Sequence, residues 1–586
     1  MASYRPDGLF ISFVLLLPTI LGSLLNATDQ IFSVHGGIIA AFGDFNSDKQ
    51  TDVFVIAGEH NVELLLGGES QPYFVKSFTI DVPEGRVTSV VPGDYDGDSF
   101  MDILVTATPQ DNAESQILLV CWGNGLSLGN RSHLAQELKD QPLVFDYDGD
   151  MVPDLLVSTR KGLSVCSVKN RTFVCLLPVL EMGLPARIPH SHAFLDVTGD
   201  FTADLLLTLQ DKYQVWQNQD GTLSKTKELS LPPDLIVVGQ SSFADVDGDG
   251  RQDHLVPGCL DTACSINVIY LNRQGEDSWT NVSIGPVAGS AELWFWNAGA
   301  VESPTGWPLP PTLRLGDYNI DGYPDALVTM QNGTDRTRWL VLLENVPCTE
   351  ESCKVVGRMF IPRWTSPVPG AIAAAFFDLF EDGILDILLM SDSTGSTHPT
   401  LQALQNNLEA DAYFVKIIVL SGLCGSKCGS KESFGVNQPG PYVEYTTVNA
   451  AGSEQKSSAA QLSQSAHLAL QLPYSVLGLG RSANFIDHLV VGIPRPAGET
   501  DLRKRAWMSI IPNAQLIVIP YPNDEPQRWS TKLYLTPSRG VLLTAIALLS
   551  VCLLLLIIIG ALHWHEKKAD NKEKRQEAHR FHFDAM

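Results

Sequence analysis

A short acidic segment recurs seven times along this chain, and its regular spacing is the strongest constraint on the fold. Every copy has aspartate at positions 1, 5 and 9, and six copies have an oxygen-bearing side chain at position 3. One motif in about every fifty residues indicates a repeat fold, because that length accommodates four short strands with their turns. Seven units predict an all-β, seven-bladed β-propeller over residues 30–410. The copies begin at Asp44, Asp94, Asp146, Asp196, Asp245, Asp317 and Asp378.

Oxygen-bearing side chains at this spacing are suited to calcium. A tight loop turns positions 1, 3, 5 and 9 inward, and Ca²⁺ takes six to eight oxygen ligands whereas Mg²⁺ tends to retain its waters. Without a cation, the converging carboxylates would repel one another. We therefore predict structural Ca²⁺ at several of these loops. The predicted metal ligands are Asp44, Asn46, Asp48 and Asp52; Asp94, Asp96, Asp98 and Asp102; Asp146, Asp148, Asp150 and Asp154; Asp196, Asp200 and Asp204; Asp245, Asp247, Asp249 and Asp253; and Asp317, Asn319, Asp321 and Asp325.

The seven copies differ in how completely they supply ligands. The fifth and sixth have oxygen at all four positions and glycine, Gly250 and Gly322, at position 6, where the loop must turn sharply. The second and third keep four aspartates but lack that glycine. Lys49 in the first adds a competing charge, Thr198 in the fourth is a weaker ligand, and Phe380 in the seventh offers no oxygen. Metal is expected above all in the fifth and sixth copies, then in the second and third, and not in the seventh.

An EF-hand begins with a similar pattern, but the residues that follow exclude it. That motif requires glutamate at position 12 and then a helix, whereas position 12 here is valine or leucine in every copy. Apolar runs such as 103–105 and 387–389 after the last aspartate predict buried strands, so each acidic loop lies in a β-hairpin. A later apolar strand ends on asparagine in five units, at Asn124, Asn218, Asn272, Asn345 and Asn406.

The two ends of the chain predict a secreted, membrane-anchored protein. Arg5 and the apolar run after it predict a signal peptide over residues 1–25. The uncharged stretch 541–562 is long enough to cross a bilayer. Basic residues after it predict a type I orientation in the cell membrane, with 563–586 as the cytoplasmic tail. Five N-glycosylation sequons agree with this compartment: Asn26, Asn130, Asn170, Asn281 and Asn332.

Cysteine usage and net charge narrow the class of protein further. Eight of the ten cysteines lie close together in the sequence as pairs. Four local disulfides are the simplest interpretation in an oxidising compartment, although spacing alone does not determine connectivity. The net charge of −26 repels phosphate backbones, so we expect no nucleic-acid partner, and no small-molecule substrate is expected either. The predicted disulfide cysteines are Cys166 and Cys175, Cys259 and Cys264, Cys348 and Cys353, and Cys424 and Cys428.

The acidic segments, preceded by 41–43 (Ala-Phe-Gly) or 91–93 (Val-Pro-Gly) and followed by apolar strands, resemble the FG-GAP repeats of integrin α-chain propellers. With a signal, a single span and a short tail, residues 30 to 586 resemble the integrin-alpha FG-GAP repeat-containing family. The resemblance implies Ca²⁺ loops that brace each blade on the face opposite the main ligand surface. It also implies cell adhesion and modulation of T cells through an extracellular or cell-surface protein partner.

Residues 411–540, between the propeller and the predicted membrane span, lack the acidic motif. In residues 411–519, alternating apolar strands between Gly, Ser and Pro clusters predict a small β-sandwich, and the Pro-rich stretch 520–540 predicts a juxtamembrane stalk. Two other functions stay open: a membrane-anchored scaffold of the secretory pathway, and a propeller hydrolase or lyase. No nucleophile motif stands out, and acidic pairs repeated in every unit argue against one active site, so we do not expect an enzyme.

Overall fold

Small antiparallel sheets that follow one another along the chain make up most of the protein. The computed structural model describes residues 24–34, 36–169, 171–175, 185–219, 222–285, 294–296, 306, 309–334, 336–349, 353–392, 398–408, 412–424, 434–449, 451–496, 498–535 and 539–583. It contains two compact units, Met1–Leu533 and Tyr534–Met586. Among the described residues, seven sheets in chain order are followed by two more. The predicted fold class, an all-β seven-bladed propeller followed by a β-sandwich and one apolar helix, is confirmed.

Each of the seven sheets is one blade, in which consecutive strands pair antiparallel. In every blade an acidic segment connects the first strand to the second, and its position 9 is the first residue of that second strand. The strands of blades 1 to 4, preceded by β1 (Leu24–Asn26) and α1 (Thr28–Ile31), are β2 (Ile38–Gly43), β3 (Asp52–Ala57), β4 (Asn61–Gly67) and β5 (Phe74–Asp81); β6 (Gly85–Gly93), β7 (Asp102–Pro109), β8 (Gln116–Gly123) and β9 (Leu128–Leu138); β10 (Leu143–Phe145), β11 (Asp154–Thr159), β12 (Gly162–Lys169) and β13 (Thr172–Cys175); and β14 (Ala193–Leu195), β15 (Asp204–Thr208), β16 (Lys212–Gln219) and β17 (Thr222–Ser230).

Blades 5 and 6 differ in having two short pieces in place of one first strand, and both pieces pair with the second strand. The first strands of blades 1 and 7 are buried along their whole length, as expected of apolar strands at the centre of a propeller. The strands of blades 5 to 7 are β18 (Val237–Val238), β19 (Ser242–Ala244), β20 (Asp253–Cys259), β21 (Asn267–Asn272) and β22 (Thr280–Val282); β23 (Trp294–Trp296), β24 (Arg314–Gly316), β25 (Asp325–Asn332), β26 (Arg338–Pro347) and β27 (Arg358–Thr365); and β28 (Ala371–Phe377), β29 (Asp386–Ser391) and β30 (Thr400–Asn406).

Blade 7 takes its fourth strand from the beginning of the chain. Strand β1 pairs with β30, with Leu24 opposite Asn406 and Leu25 opposite Gln405. The ring is thus closed by hydrogen bonds between the two ends of the propeller sequence, which leaves no open edge at the junction. Leu24 and Leu25 fall inside the stretch 1–25 that the sequence assigns to a signal peptide, so β1 overlaps the end of that predicted segment by two residues.

The two remaining sheets form the sandwich. They contain β31 (Tyr413–Val419), β34 (Ser475–Gly480), β37 (Ala514–Ile519) and β38 (Ser530–Leu535), and β32 (Tyr442–Val448), β33 (Glu454–Ala460), β35 (Ile486–Gly492) and β36 (Lys504–Ile510). The predicted stalk 520–540 differs from this structure, because β38 is an edge strand of the sandwich and a 3₁₀ turn (Pro526–Arg528) precedes it. Trp529, only 2% exposed, packs into the sandwich core and explains the difference.

One connection between two strands of the sandwich contacts the propeller. Residues 461–474, between β33 and β34, are called the channel segment here. Gln464 accepts a hydrogen bond from the backbone N–H of Phe42 in β2 and donates one to the carbonyl of the same residue. Ser465 Oγ accepts from the backbone N–H of Val144 in β10, at 3.0 Å. Because β2 and β10 are first strands of their blades, the segment lies against the centre of the ring.

The second unit is dominated by helix α2 (Arg539–Phe583). Within it, Thr544–Gln576 is long and apolar enough to cross a membrane by its length and composition. The predicted span 541–562 falls inside α2, and the helix continues beyond it into the sequence predicted as a cytoplasmic tail.

The structure also locates the predicted disulfides and sequons. Three of the four cysteine pairs, 166–175, 259–264 and 348–353, are joined as disulfides, whereas Cys428 lies outside the described residues. Asn26, Asn130 and Asn281 are exposed, and Asn170 lies outside the described residues. Asn332 is only 6% exposed, and its side-chain oxygen accepts hydrogen bonds from Thr334, which leaves little room for a glycan at this sequon.

Candidate metal sites in the seven aspartate loops

All seven acidic segments, numbered loops 1 to 7 in chain order, share one hydrogen-bonding frame. The carboxylate at position 1 accepts the backbone N–H of position 6, as Asp245 does from Gly250 at 2.8 Å. The carboxylate at position 9 accepts the backbone N–H of position 2, as Asp253 does from Val246 at 3.1 Å. Position 5 accepts from position 7, as Asp249 does from Arg251 at 2.9 Å. The same three bonds recur in every loop.

The backbone turns through the left-handed region at position 6 of every loop. Glycine adopts this conformation without strain, but the frame imposes it on other residues as well, including Lys49 (φ 78°) and Met151 (φ 66°). The absence of glycine in loops 1 to 4 therefore does not prevent the loop from forming. Position 4 is also left-handed, as at Gly248 (φ 77°) and Glu381 (φ 53°), which accounts for the frequent glycine at that position.

Loops 2, 3 and 5 bring three carboxylates together. In each, oxygens from positions 1, 3 and 9 lie within 4.8 Å of one another. The position 3 oxygens Asp148 Oδ1 and Asp247 Oδ1 are buried and have no hydrogen-bond donor, an arrangement that costs free energy unless a cation pairs with them. These residues fit Ca²⁺, which prefers clustered carboxylate oxygens. The three groups are Asp94, Asp96 and Asp102; Asp146, Asp148 and Asp154; and Asp245, Asp247 and Asp253.

Position 3 behaves differently in loops 1, 4 and 6. The amide groups of Asn46 and Asn319 donate to the aspartate at position 5, at 2.8 and 3.2 Å. Thr198 Oγ1 donates to Asp204 at 2.9 Å. In these three loops the side chain at position 3 therefore donates a hydrogen bond to an aspartate of its own loop and stabilises that carboxylate. Loop 6, which matches the full ligand pattern in sequence, is therefore less like loop 5 in structure than the sequence predicts.

Burial strongly favours the protonated form of these carboxyls. It is the largest cause of the raised pKa at position 9 of every loop and at position 1 of loops 1 to 6, and neighbouring carboxylates raise the pKa further. A bound cation would reverse this preference, because it stabilises the charged form. The pKa is raised to about 8 for Asp52, Asp102, Asp154, Asp204, Asp253 and Asp317, to about 7 for Asp44, Asp94 and Asp245, and to about 6 for Asp196.

Arginines border two of the three carboxylate groups. Arg171 lies 2.7 Å from Asp96 Oδ2 in loop 2, and Arg273 lies 2.8 Å from Asp247 Oδ2 in loop 5. Arg171 also lies 3.9 Å from Asp98 Oδ2, whereas Arg273 pairs with Asp247 Oδ2. The second oxygen of Asp247 still faces the group without a donor, so Arg273 offsets part of the negative charge and leaves an acceptor for an ion.

Both domains of the chain match known protein families. The model of the family described as FG-GAP-like repeat matches residues 44–105 and 196–256, which contain loops 1, 2, 4 and 5. The model described as "ITFG1, C2 domain" matches residues 433–534 of the sandwich. T-cell immunomodulatory protein of Homo sapiens is 50% identical over 588 residues, covering 96% of this chain and 95% of that protein. The chain belongs to the T-cell immunomodulatory protein family.

More distant relatives match this chain over most of their length. Protein linkin of Caenorhabditis elegans is 29% identical over 603 residues, covering 94% of this chain and 95% of that protein. The T-cell immunomodulatory protein homolog of Plasmodium falciparum is 27% identical and covers 92% of this chain and 86% of that protein. The predicted relation to the integrin-alpha FG-GAP repeat-containing family is thus confirmed.

In this member of the T-cell immunomodulatory protein family, loop 7 contains a cation supplied by the chain itself. Lys416 of β31 places its ammonium 2.8 Å from Asp378 Oδ2 and also contacts the carboxylate of Glu381. The side chains of Lys416 and Asp378 are 2% and 0% exposed. Phe380 at position 3 packs edge-on against Tyr73 instead of facing the loop interior. The expectation that loop 7 lacks a metal stays a prediction, and sequence reasoning missed the lysine because it belongs to the other domain.

The sandwich covers five of the seven loops. Its strands and connections contact loops 3 to 7 through hydrogen bonds, an ion pair and a cation–π contact. The face of the propeller that carries the loops, called the loop face, is therefore largely an interface within the chain. The contacts join Arg503 to Gly149, Lys504 to the ring of Phe201, Tyr442 to Gly250, Gly478 to Asp317, and Lys416 to Asp378.

Two of the five recurring asparagines, Asn345 and Asn406, connect neighbouring blades of this family member. The backbone N–H groups of Asn345 and Asn406 donate to the position 9 carboxylates of their own blades, at 2.8 and 2.6 Å. Their side-chain amides donate to Val246 and Tyr318, which occupy position 2 of the preceding loop. These two asparagines therefore tie one acidic loop to the preceding one, a role that sequence analysis did not assign to them, whereas the amide of Asn218 donates to Arg495 of the sandwich.

Proposed function

We propose that this protein is a type I cell-surface glycoprotein whose calcium-braced propeller binds an extracellular or cell-surface protein in cell adhesion and in the modulation of T cells. The observation that carries the calcium part is the buried, donor-free oxygen of Asp247 beside two further carboxylates. The immune role rests on the full-length relation to proteins named T-cell immunomodulatory protein. The acidic clusters repeat from blade to blade, which suits a structural role better than one catalytic centre.

The face opposite the loop face supplies the partner surface in this proposal. The sandwich occupies much of the loop face, whereas hairpins between second and third strands lie on the opposite face. Two exposed isoleucines stand there on blade 5: Ile236, 57% exposed, and Ile266, 52% exposed. They are neighbours, because the N–H of Ile236 donates to Cys259 and the N–H of Leu260 donates to Ile266. Exposed apolar side chains of this kind are favoured at protein interfaces.

Surface proximity labelling on intact cells that express the full chain tests this proposal. We expect the protein to be labelled from outside, and Ile236→Asp combined with Ile266→Asp should remove most of the neighbours that the native chain captures. Leu126→Asp is a matched control, because Leu126 is 87% exposed in a hairpin on the loop face. Retention inside the cell would support the scaffold alternative, and an unchanged set of neighbours would place the partner surface elsewhere.

A further inference from the structure

A cavity of about 130 Å³ lies between the propeller and the sandwich, away from the carboxylate groups of loops 2 and 3. Its walls come from the first strands of blades 5 to 7, from strands β33 and β34, and from the channel segment. Phe243, Leu313, Phe376 and Leu470 give it an apolar side, and polar residues also belong to its lining. A volume of this order accommodates a benzene-sized molecule.

One positively charged side chain, that of Arg314, belongs to the lining of this cavity. Arg314 of β24 lines it, donates one hydrogen bond to the carbonyl of Leu468 at 2.8 Å, and leaves its Nε without a partner. Among the residues that the structure describes, no carboxylate forms an ion pair with this guanidinium. Burial is the only cause that shifts its pKa, to about 10. Arg314 is half-buried, and a guanidinium that has lost part of its water normally pairs with an anion, since an unpaired desolvated charge is costly.

The two acidic residues of the lining accept hydrogen bonds from backbone N–H groups. Asp245 and Asp317 border the cavity, but their carboxylates accept backbone N–H groups of their own loops, from Gly250 at 2.8 Å and from Gly322 at 2.8 Å. Asp317 also accepts the N–H of Gly478 from the sandwich. Neither carboxylate contributes to the pKa of Arg314, which burial alone shifts.

We propose that this cavity binds a small organic carboxylate, with its anionic head on the guanidinium of Arg314 and its apolar body among Phe243, Phe376 and Leu470. Arginine recognises carboxylates through paired N–H donors, and its planar fork sets their orientation. Inorganic anions alone would leave the apolar side unused. The site lies where two domains meet, which is a common location for small-molecule sites.

The full chain in nanodiscs with saturating Ca²⁺ provides the test, and benzoate is the probe. We expect benzoate to raise the unfolding temperature by a few degrees in a saturable manner, whereas benzyl alcohol, the uncharged analogue, should give a much smaller shift at the same ionic strength. Arg314→Met should remove the response to benzoate. Arg251→Gln, at an exposed arginine of loop 5, should keep it.

Ala469→Phe supplies a second variant in case Arg314→Met does not fold. Ala469 lines the cavity, so the larger side chain fills the space and should abolish the benzoate response while Arg314 stays in place. Equal shifts with benzoate and benzyl alcohol would overturn the proposal, because they would show an apolar cavity without anion recognition. No shift with benzoate, or an unchanged shift in Ala469→Phe, would overturn it as well.

Discussion

Loops 5 and 7 have the same backbone frame, and both bring carboxylates close together. They differ in the group that can offset the repulsion between those carboxylates. Both hold the carboxylate of position 1 with N–H groups of positions 5 and 6. In loop 5, Asp247 adds a third carboxylate with a donor-free oxygen. In loop 7, Phe380 removes that ligand and Lys416 brings an ammonium group to Asp378. Clustered acids need a positive charge, and either an ion or the chain itself can supply it.

The two solutions have different consequences for the molecule. An ion in loop 5 would bind reversibly and would depend on the calcium concentration. The ammonium in loop 7 is permanent, and because Lys416 belongs to the sandwich it also holds that domain on the propeller. Loop 5 is therefore the adjustable site, and loop 7 is a fixed connection between domains.

The largest effect expected from this difference between the loops is the pH dependence of the stability of the metal-free protein. Burial raises the pKa of Asp245 to about 7 and of Asp253 to about 8, above the value near 3.9 in an unfolded chain. The folded state then holds more protons than the unfolded state between about pH 4 and 8, so stability falls as pH rises through that window. Calcium should remove most of this fall, because it binds the deprotonated carboxylates.

Thermal unfolding of the full chain at about pH 5 and about pH 8, with chelator and with Ca²⁺, measures this effect. We expect the unfolding temperature in chelator to be lower at the higher pH, and the difference to shrink with Ca²⁺. Equal unfolding temperatures in chelator at both values would show that the acidic loops carry no such protons.

A substitution in loop 7 should produce the next largest change. Lys416→Met leaves Asp378 and Glu381 buried without their cation, and removing one partner of a buried ion pair costs about 3–5 kcal/mol. Denaturant unfolding measured with and without Ca²⁺ should show this loss in both conditions. Lys456→Met is the control, because its ion pair with Glu454 is exposed (41% and 59%) and should cost at most about 1 kcal/mol. Equal costs for both variants would refute the internal cation.

A matched pair of substitutions at position 5 sharpens the comparison with the smallest expected effect. Asp249→Asn in loop 5 should reduce the stabilisation by Ca²⁺ by about 1–3 kcal/mol, the contribution of one site near saturation. Asp382→Asn, at the same position of loop 7, should leave the response to Ca²⁺ unchanged. Calcium titrations followed by denaturant unfolding distinguish the two variants, and similar losses in both would mean that loop 7 binds metal too.

Much of this architecture follows from local sequence patterns. The spacing of the aspartates and the apolar run after each position 9 predict the hairpins, because both signals lie within about twelve residues of one another. Lys416 could not be predicted in the same way, since 38 residues separate it from Asp378 and nothing local marks it as a partner. Strand β38 was missed because a Pro-rich, polar composition hides the packing of Trp529 into the sandwich core.

The ranking of the metal loops was predicted only in part. Loops 2, 3 and 5 do gather three carboxylates, because four aspartates in the frame are enough. Loop 6 was ranked with loop 5 on ligand type alone, whereas Asn319 turns its amide donor toward Asp321. Whether a side chain accepts or donates depends on its neighbours in space, which spacing does not specify.

The pairing of β1 with β30 sets the order in which the protein can be completed during synthesis. Ala403 donates to Thr28, 375 residues earlier in the chain, so β1 is synthesised long before the strand with which it pairs. At about 5–20 residues per second, that delay is roughly 20–75 s. Throughout this delay β1 has no partner strand, and an unpaired strand edge can pair with other chains.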